Sequence, residues 1–176
     1  ILNSGKLSFE DSYNGAIYAD IQFDNKVVRV YCMHLQSVGL GQDENKLLDK
    51  NSLSNLNQGT TQQTYKRIYN KLKMAFLKRE KQAEAIKAHL NDCPHPFILA
   101  GDLNDTPSSY AYAVLSDALK DAFTEKGLGF GSTYAGLLPL LRIDCIFYSN
   151  DWNVCGFETI DNTYSDHYPI VSNAYF

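Results

Sequence analysis

The eleven residues at 97–107, FILAGDLNDTP, constrain the fold of this 176-residue chain more than any other stretch. An apolar run with the composition of a buried strand ends abruptly in a glycine, a carboxylate and an amide. Helix-start signals follow at once, with Asp105 or Thr106 as N-cap and Pro107 at the first helical position. Polar, metal-competent groups are thereby displayed at the carboxyl end of a strand, where open α/β sheets keep their active sites.

The surrounding pattern extends this reading. Residues 16–23 and 26–35 alternate apolar and polar around an Asp24-Asn25 turn, which predicts an antiparallel hairpin whose second strand ends at His34. Residues 39–64 are rich in Asn, Gln, Ser and Thr and too long for an ordinary connection, so they read as a polar surface insertion. A helix is expected over 63–91, with Ile68, Leu72, Phe76, Ala83, Ile86 and Leu90 on its inner face. Pro94 and Pro96 stop it before the strand at 97–101. A second helix is expected over 107–120, with Tyr112, Leu115 and Leu119 inward, and further strands over 142–148, 153–159 and 169–174. Hairpins mixed with crossovers imply mixed sheets in one α/β domain spanning 1–176, and no strand is expected before residue 16.

Bulk composition narrows the function. A chain with 44% hydrophobic residues, 20% charged residues and a net charge of −4 has the make-up of a globular domain. Its acidity argues against broad, non-specific nucleic-acid coating, which needs a positive surface, yet leaves room for a nuclease with a local basic patch. The four cysteines form no C-x-x-C pair and no zinc spacing; Cys32 and Cys145, inside apolar runs, are expected as small buried thiols. No run of residues is apolar and long enough to span a bilayer.

Four strings set polar residues beside apolar strands: YCMHL ending around His34, GDLN with Asp102 and Asn104, RID with Asp144, and SDHYP with Asp166 and His167. Together they hold what is needed to bind a hard cation through oxygen, activate water and protonate a leaving group. Each has a blander explanation. Asp102 or Asn104 could cap a helix, Asp144 could pair with Arg142, and His167 could be a satisfied core histidine. Their joint occurrence in this order favours the chemistry.

With those strings in view, the chain resembles the endonuclease/exonuclease/phosphatase family, which includes pancreatic-type deoxyribonucleases, abasic-site endonucleases, neutral sphingomyelinases and inositol polyphosphate 5-phosphatases. GDLNDTP, RIDCIF and SDHYPI look like the family's three C-terminal motifs. The resemblance implies an α/β/β/α four-layer sandwich of two mixed sheets. It also implies individual roles. Asp102 orients or deprotonates the attacking water, and Asn104 contacts a phosphate oxygen. Asp166 ligates a divalent metal, Mg²⁺ or Mn²⁺. His167 sits at the scissile phosphate as base or phosphate contact, and Asp144 fixes its tautomer. His34 resembles the second histidine of the deoxyribonuclease and sphingomyelinase branches.

The family's first half, with an asparagine and the principal metal-binding glutamate of a Gln-Glu pair, has no counterpart among these residues. The chain therefore resembles a C-terminal portion, expected to be poorly active alone and to pair with the missing N-terminal half or a second copy. Lys66, Arg67, Lys71, Lys73, Lys78, Arg79 and Lys81 crowd the first helix, either as a solvated face or as a contact for an anionic surface. The insertion and basic helix resemble a bacterial, Bacteroides-type branch, which implies a membrane-associated parent protein. Three functions follow: a metal-dependent hydrolase of a phospholipid or small phosphorylated molecule, a nuclease of the same family, or a non-catalytic assembly module.

Overall fold

In the computed structural model, which describes residues 1–10, 12–41, 58–136, 140–162 and 164–176, the elements alternate as an α/β domain. Strands β1 (Asn3–Ser8), β2 (Gly15–Phe23) and β3 (Lys26–His34) precede helix α1 (Gln58–Asn91). Then come β4 (Phe97–Asp102), α2 (Tyr110–Ser116), β5 (Lys120–Asp121), α3 (Ala122–Lys126), β6 (Asp144–Tyr148), β7 (Asn153–Thr159) and β8 (Ile170–Tyr175). The polar insertion expected over 39–64 lies mostly outside the described residues.

The larger sheet is six-stranded in the order β1-β2-β3-β4-β6-β5, and β7 and β8 form a second, two-stranded sheet. Among the described strands only β3 and β4 pair in parallel, joined through α1; the other pairs are antiparallel, so the smaller sheet is not mixed as expected. Alternation along the strands separates two cores. Tyr31, Met33, Leu99, Cys145 and Phe147 point to one face and pack with Ala83, Ile86 and Leu90 of α1 and Ala111 and Leu115 of α2. Their sequence neighbours Val30, Ile98, Ile146 and Tyr148 point to the other face, against Trp152, Val154 and Ala174 of the smaller sheet and its lead-in. Two residue faces with period 2, each covered by a different layer, are what make the sandwich.

One buried ion pair ties the helix layer to the strand ends. Arg79 is 1% exposed and Nε donates to Asp105 Oδ2 at 2.8 Å, while Nη1 donates to the Gln36 carbonyl at 2.8 Å. Its guanidinium stacks 4.7 Å above the Phe76 ring. This revises two expectations. Arg79 belongs to the inward stripe and not to a basic surface, and Phe76, 50% exposed, sits at the margin of that stripe. It also explains why Asp105 caps no helix: its carboxylate is committed to Arg79. The N-cap of α2 is Ser109, whose hydroxyl accepts from the Tyr112 amide, so Pro107 lies in the turn ahead of the helix.

Other corrections share a cause in tertiary context. β1 exists as an edge strand although its sequence, NSGKLS, carries no apolar alternation; its pairing with β2 supplies the order. The expected second helix stops at Ser116, a turn and the short β5 replace its end, and α3 follows beyond it. Cys32 is exposed, because the two-stranded sheet does not reach that end of the inter-sheet face, where Ile17 is also 55% exposed. Cys145 is buried as expected, and burial pushes its thiol up to about 12 despite the nearby Arg142 charge.

Thiol labelling at pH 8 in the native state is expected to modify Cys32 and Cys155 quickly and Cys145 only after unfolding; mass spectrometry of the labelled peptides reads the order. Replacing Asp105 by Ala strands a buried guanidinium and should cost about 3 kcal/mol or more in urea unfolding.

Candidate active site

The site begins as a row across three strands. Register places His34 of β3 opposite Asp102 of β4, and Asp102 opposite Asp144 of β6. All three share the inter-sheet face with Val30, Ile98 and Ile146, two or four residues back along their strands, by the same period of two. Two strands ending and one beginning at the same level therefore deliver an imidazole and two carboxylates to one edge.

Gly101 makes this row possible. Its φ is +142°, and a Cβ there would sit 1.9 Å from the Met33 carbonyl oxygen on the neighbouring strand. Only glycine allows that approach. Pairing continues past the strand end, with Leu35 N donating to the Asp102 carbonyl at 2.9 Å and Leu103 N to the Ile143 carbonyl at 2.8 Å. The chain then turns through Asn104, at φ +52°. This conformation, which Asn tolerates well, folds the residue back onto Asp102. The Asn104 amide N–H donates to Asp102 Oδ1 at 2.7 Å, and Nδ2 donates to Asp102 Oδ2 at 2.9 Å and to the Leu35 carbonyl at 3.0 Å. Asn104 thus acts first by locking the Asp102 carboxylate. Burial, opposed by the Asn104 backbone bond and reinforced by the Asp144 charge, raises the Asp102 carboxyl above the usual range.

His167 arrives from the other sheet, on the approach to β8. Its Nδ1 donates to Asp144 Oδ2 at 2.8 Å, leaving Nε2 to face outward. Burial works against the charged ring, but the Asp144 hydrogen bond and the charges of Asp144, Asp102 and Asp166 outweigh it and raise the imidazole above 6.5. The stability gained from the charged pair is therefore fully present below that value and is lost as pH rises through the raised midpoint. Arg142 does not compete for Asp144: it bonds Asp121 at 2.7 Å and Tyr112.

Thr133 and Tyr134 hold these parts together and carried no signal in the sequence, where they open a Gly- and Leu-rich connection. The fully buried Thr133 hydroxyl accepts from the amides of Ile143 and Asp144, at 2.9 and 3.0 Å, and its carbonyl accepts from Tyr168 N. One side chain thereby fixes the start of β6 to the His167 loop. Tyr134 bridges His167 through the backbone and sets its ring edge-on to the imidazole, centroids 5.4 Å apart.

Asp102, Asp144 and His167 offer ligand atoms that all lie within 4.8 Å of one another. His34 lies beside them, its Nε2 3.5 Å from Asp102 Oδ2 and its ring largely exposed. Asp166 is exposed on the rim of the same cleft, outside that tight group. Asp102 and Asp144, with Asp166 on the rim, are oxygen donors of the kind a hard divalent cation takes, and they would hold it with water and substrate oxygens filling the remaining positions.

The chain belongs to the endonuclease/exonuclease/phosphatase family, whose model matches residues 10–167. Among solved structures it is similar to a mannosyl-6-phosphatase of Bacteroides thetaiotaomicron (TM-score 0.69, 14% identity), covering 100% of this chain and 67% of that one. A family member from Bacteroides vulgatus gives TM-score 0.67 at 17% identity over 99% and 65% of the two chains. The human Nocturnin catalytic domain gives 0.61 at 17% over 99% and 58%. The chain spans about two thirds of the length of the first two. No curated protein sequence matches it.

Replacing Asp144 by Asn removes the ionic partner while leaving the burial, so the His167 titration midpoint in the metal-free protein should fall. Histidine ring NMR across pH 4–9 measures it; an unchanged midpoint would show that Asp144 does not set the charge state of the ring.

Proposed function

We propose that this chain carries the reacting end of a divalent-metal-dependent phosphoester hydrolase in which water attacks phosphorus directly. The observation that carries the reading is the convergence within 4.8 Å of Asp102 and Asp144, from two strand ends of the larger sheet, and His167, from the loop that leads into the smaller one. Helix capping or a core histidine would explain each residue alone, but neither explains their meeting.

Each side chain has a role suited to its surroundings. Asp102, locked by Asn104 and raised by burial, takes the proton from the attacking water as the new O–P bond forms. The ester P–O bond breaks, and the departing oxygen takes a proton from the His167 imidazolium, held in that form by Asp144. His34, beside Asp102 and open to solvent, returns protons between turnovers. A bound Mg²⁺ or Mn²⁺ would neutralise charge on the phosphoryl oxygens. The phosphatase among the similar structures supports phosphoester hydrolysis in general, and the net charge of −4 favours a lipid or small-molecule ester over nucleic acid.

The bare strip at Ile17 and Cys32 supports low activity for the 176 residues alone. We read the active form as one in which further chain, an N-terminal half or a second copy, covers that strip. The exposed Lys66, Arg67, Lys73 and Lys81 of α1 remain available for an anionic surface.

In the natural full-length protein, Asp102→Ala and His167→Ala should each lower kcat on 4-nitrophenyl phosphate by about 10²–10⁴. Chelation should abolish turnover, and added Mg²⁺ or Mn²⁺ should restore it. Full activity in either variant, or in the isolated 176 residues, would contradict the assignment.

A further inference from the structure

The cleft in front of Asp102 and His167 has a second wall that hydrolysis does not use. Its volume is about 640 Å³, within the range of sites that enclose a small organic ligand. Opposite the acidic groups it is lined by Val38 and Leu40 from the segment after β3, Ile68, Leu72 and Phe76 from α1, and Leu141. These come from separate parts of the chain, and their juxtaposition is built. Gln82 Oε1 accepts from Gln36 N at 2.8 Å, Arg79 donates to the Gln36 carbonyl at 2.8 Å, and Lys71 Nζ donates to the Gly39 carbonyl at 3.0 Å. Three residues spaced along α1 thus stitch the 36–40 segment to the helix and keep the apolar side chains of both facing the cleft.

The charges point the same way. Among the described residues lining the cleft, the one lysine or arginine is Arg79, and it is buried and neutralised by Asp105. A ligand with further phosphates or a polyanionic backbone would meet no unpaired cation there and would face Asp166 and Asp105. A ligand with an apolar group would instead cover Leu72 and the half-exposed Phe76 ring, whose place is fixed by the stacked Arg79 guanidinium. Removing such apolar area from water is favourable roughly in proportion to its extent.

We propose that the cleft selects phosphoesters whose esterified group is apolar, an alkyl or aryl moiety that lies in the trough of Val38, Leu40, Leu72 and Phe76 while the phosphate meets Asp102 and His167. This rests on the phosphoester reading of the site and adds the substrate class. The same chemistry is offered by a soluble alkyl or aryl phosphate and by a phospholipid in a bilayer.

The test uses alkylphosphonates, which carry the phosphate-like group on a bond the enzyme does not hydrolyse. Dissociation constants for methyl-, butyl-, hexyl- and phenylphosphonate are measured in Mg²⁺ buffer on the full-length protein by calorimetry and by perturbation of the His167 ring signals. Affinity should rise up to about fourfold per methylene from methyl to hexyl. The gain should be lost in Phe76→Ser and Leu72→Asn, with methylphosphonate binding unchanged. Phe76 also stacks on the Arg79 guanidinium, so urea unfolding checks the fold of each variant, and the methyl-to-hexyl series on the unsubstituted protein tests the substrate class without them. Equal affinities for methyl- and hexylphosphonate, both perturbing His167, would overturn the substrate class and leave the hydrolase reading standing. Binding that ignores His167→Ala would overturn both. Vesicles of phosphatidylcholine with phosphatidic acid separate the sources: co-sedimentation lost in Phe76→Ser assigns a lipid, and binding of hexylphosphonate without co-sedimentation assigns a soluble ester.

Discussion

The close approach of Gly101 to the Met33 carbonyl is the contact on which the rest of the site depends. β3 and β4 are the only parallel pair among the described strands, and at their shared end one residue must come within a distance that no side chain permits. The row His34–Asp102–Asp144 then follows from register alone. Alanine at 101 would push the strands apart where Asp102 must meet both neighbours, so loss of stability and misplacement of the carboxylate are one event. The left-handed turn at Asn104 completes the arrangement by fastening Asp102 from both oxygens.

A second constraint closes the cleft from the helix side. Arg79 enters the interior of α1 as a charge, which is costly unless paired and fully bonded. Asp105, the Gln36 carbonyl and the Phe76 face supply those partners. The same contacts hold the segment after β3 and the loop after β4, the two segments that leave the His34–Asp102–Asp144 row. The acidic wall and the apolar wall are therefore held by one buried cation. Thr133 does the equivalent work across the cleft, tying β6 to the loop that bears His167.

Much of this was legible in the residues. Period-2 alternation marked β2 and β3, short apolar runs marked β6, β7 and β8, and polar residues at strand ends marked His34, Asp102, Asn104 and Asp144. The pairing of His167 with Asp144 was implied by the family resemblance and not by spacing, since 23 residues separate them. What escaped had a tertiary cause. Asp105 reads as a cap until a helix in another layer presents Arg79. Phe76 and Arg79 exchange expected environments because a stripe calculated from hydrophobicity cannot place a buried salt bridge. Cys32 reads as core because an apolar strand is silent about how far the opposing sheet extends. Thr133 is a threonine in a connection, and nothing local distinguishes a hydroxyl that accepts two backbone amides.

The central claim is that water, activated at Asp102, attacks phosphorus while His167 faces the departing oxygen. Turnover of the full-length protein in H₂¹⁸O, with a substrate made chiral at phosphorus by sulfur and ¹⁷O, tests it most directly. The account predicts ¹⁸O in the phosphoryl product, none in the alcohol, and inversion of configuration at phosphorus. Label in the alcohol, or retention of configuration through a covalent enzyme intermediate, would contradict it.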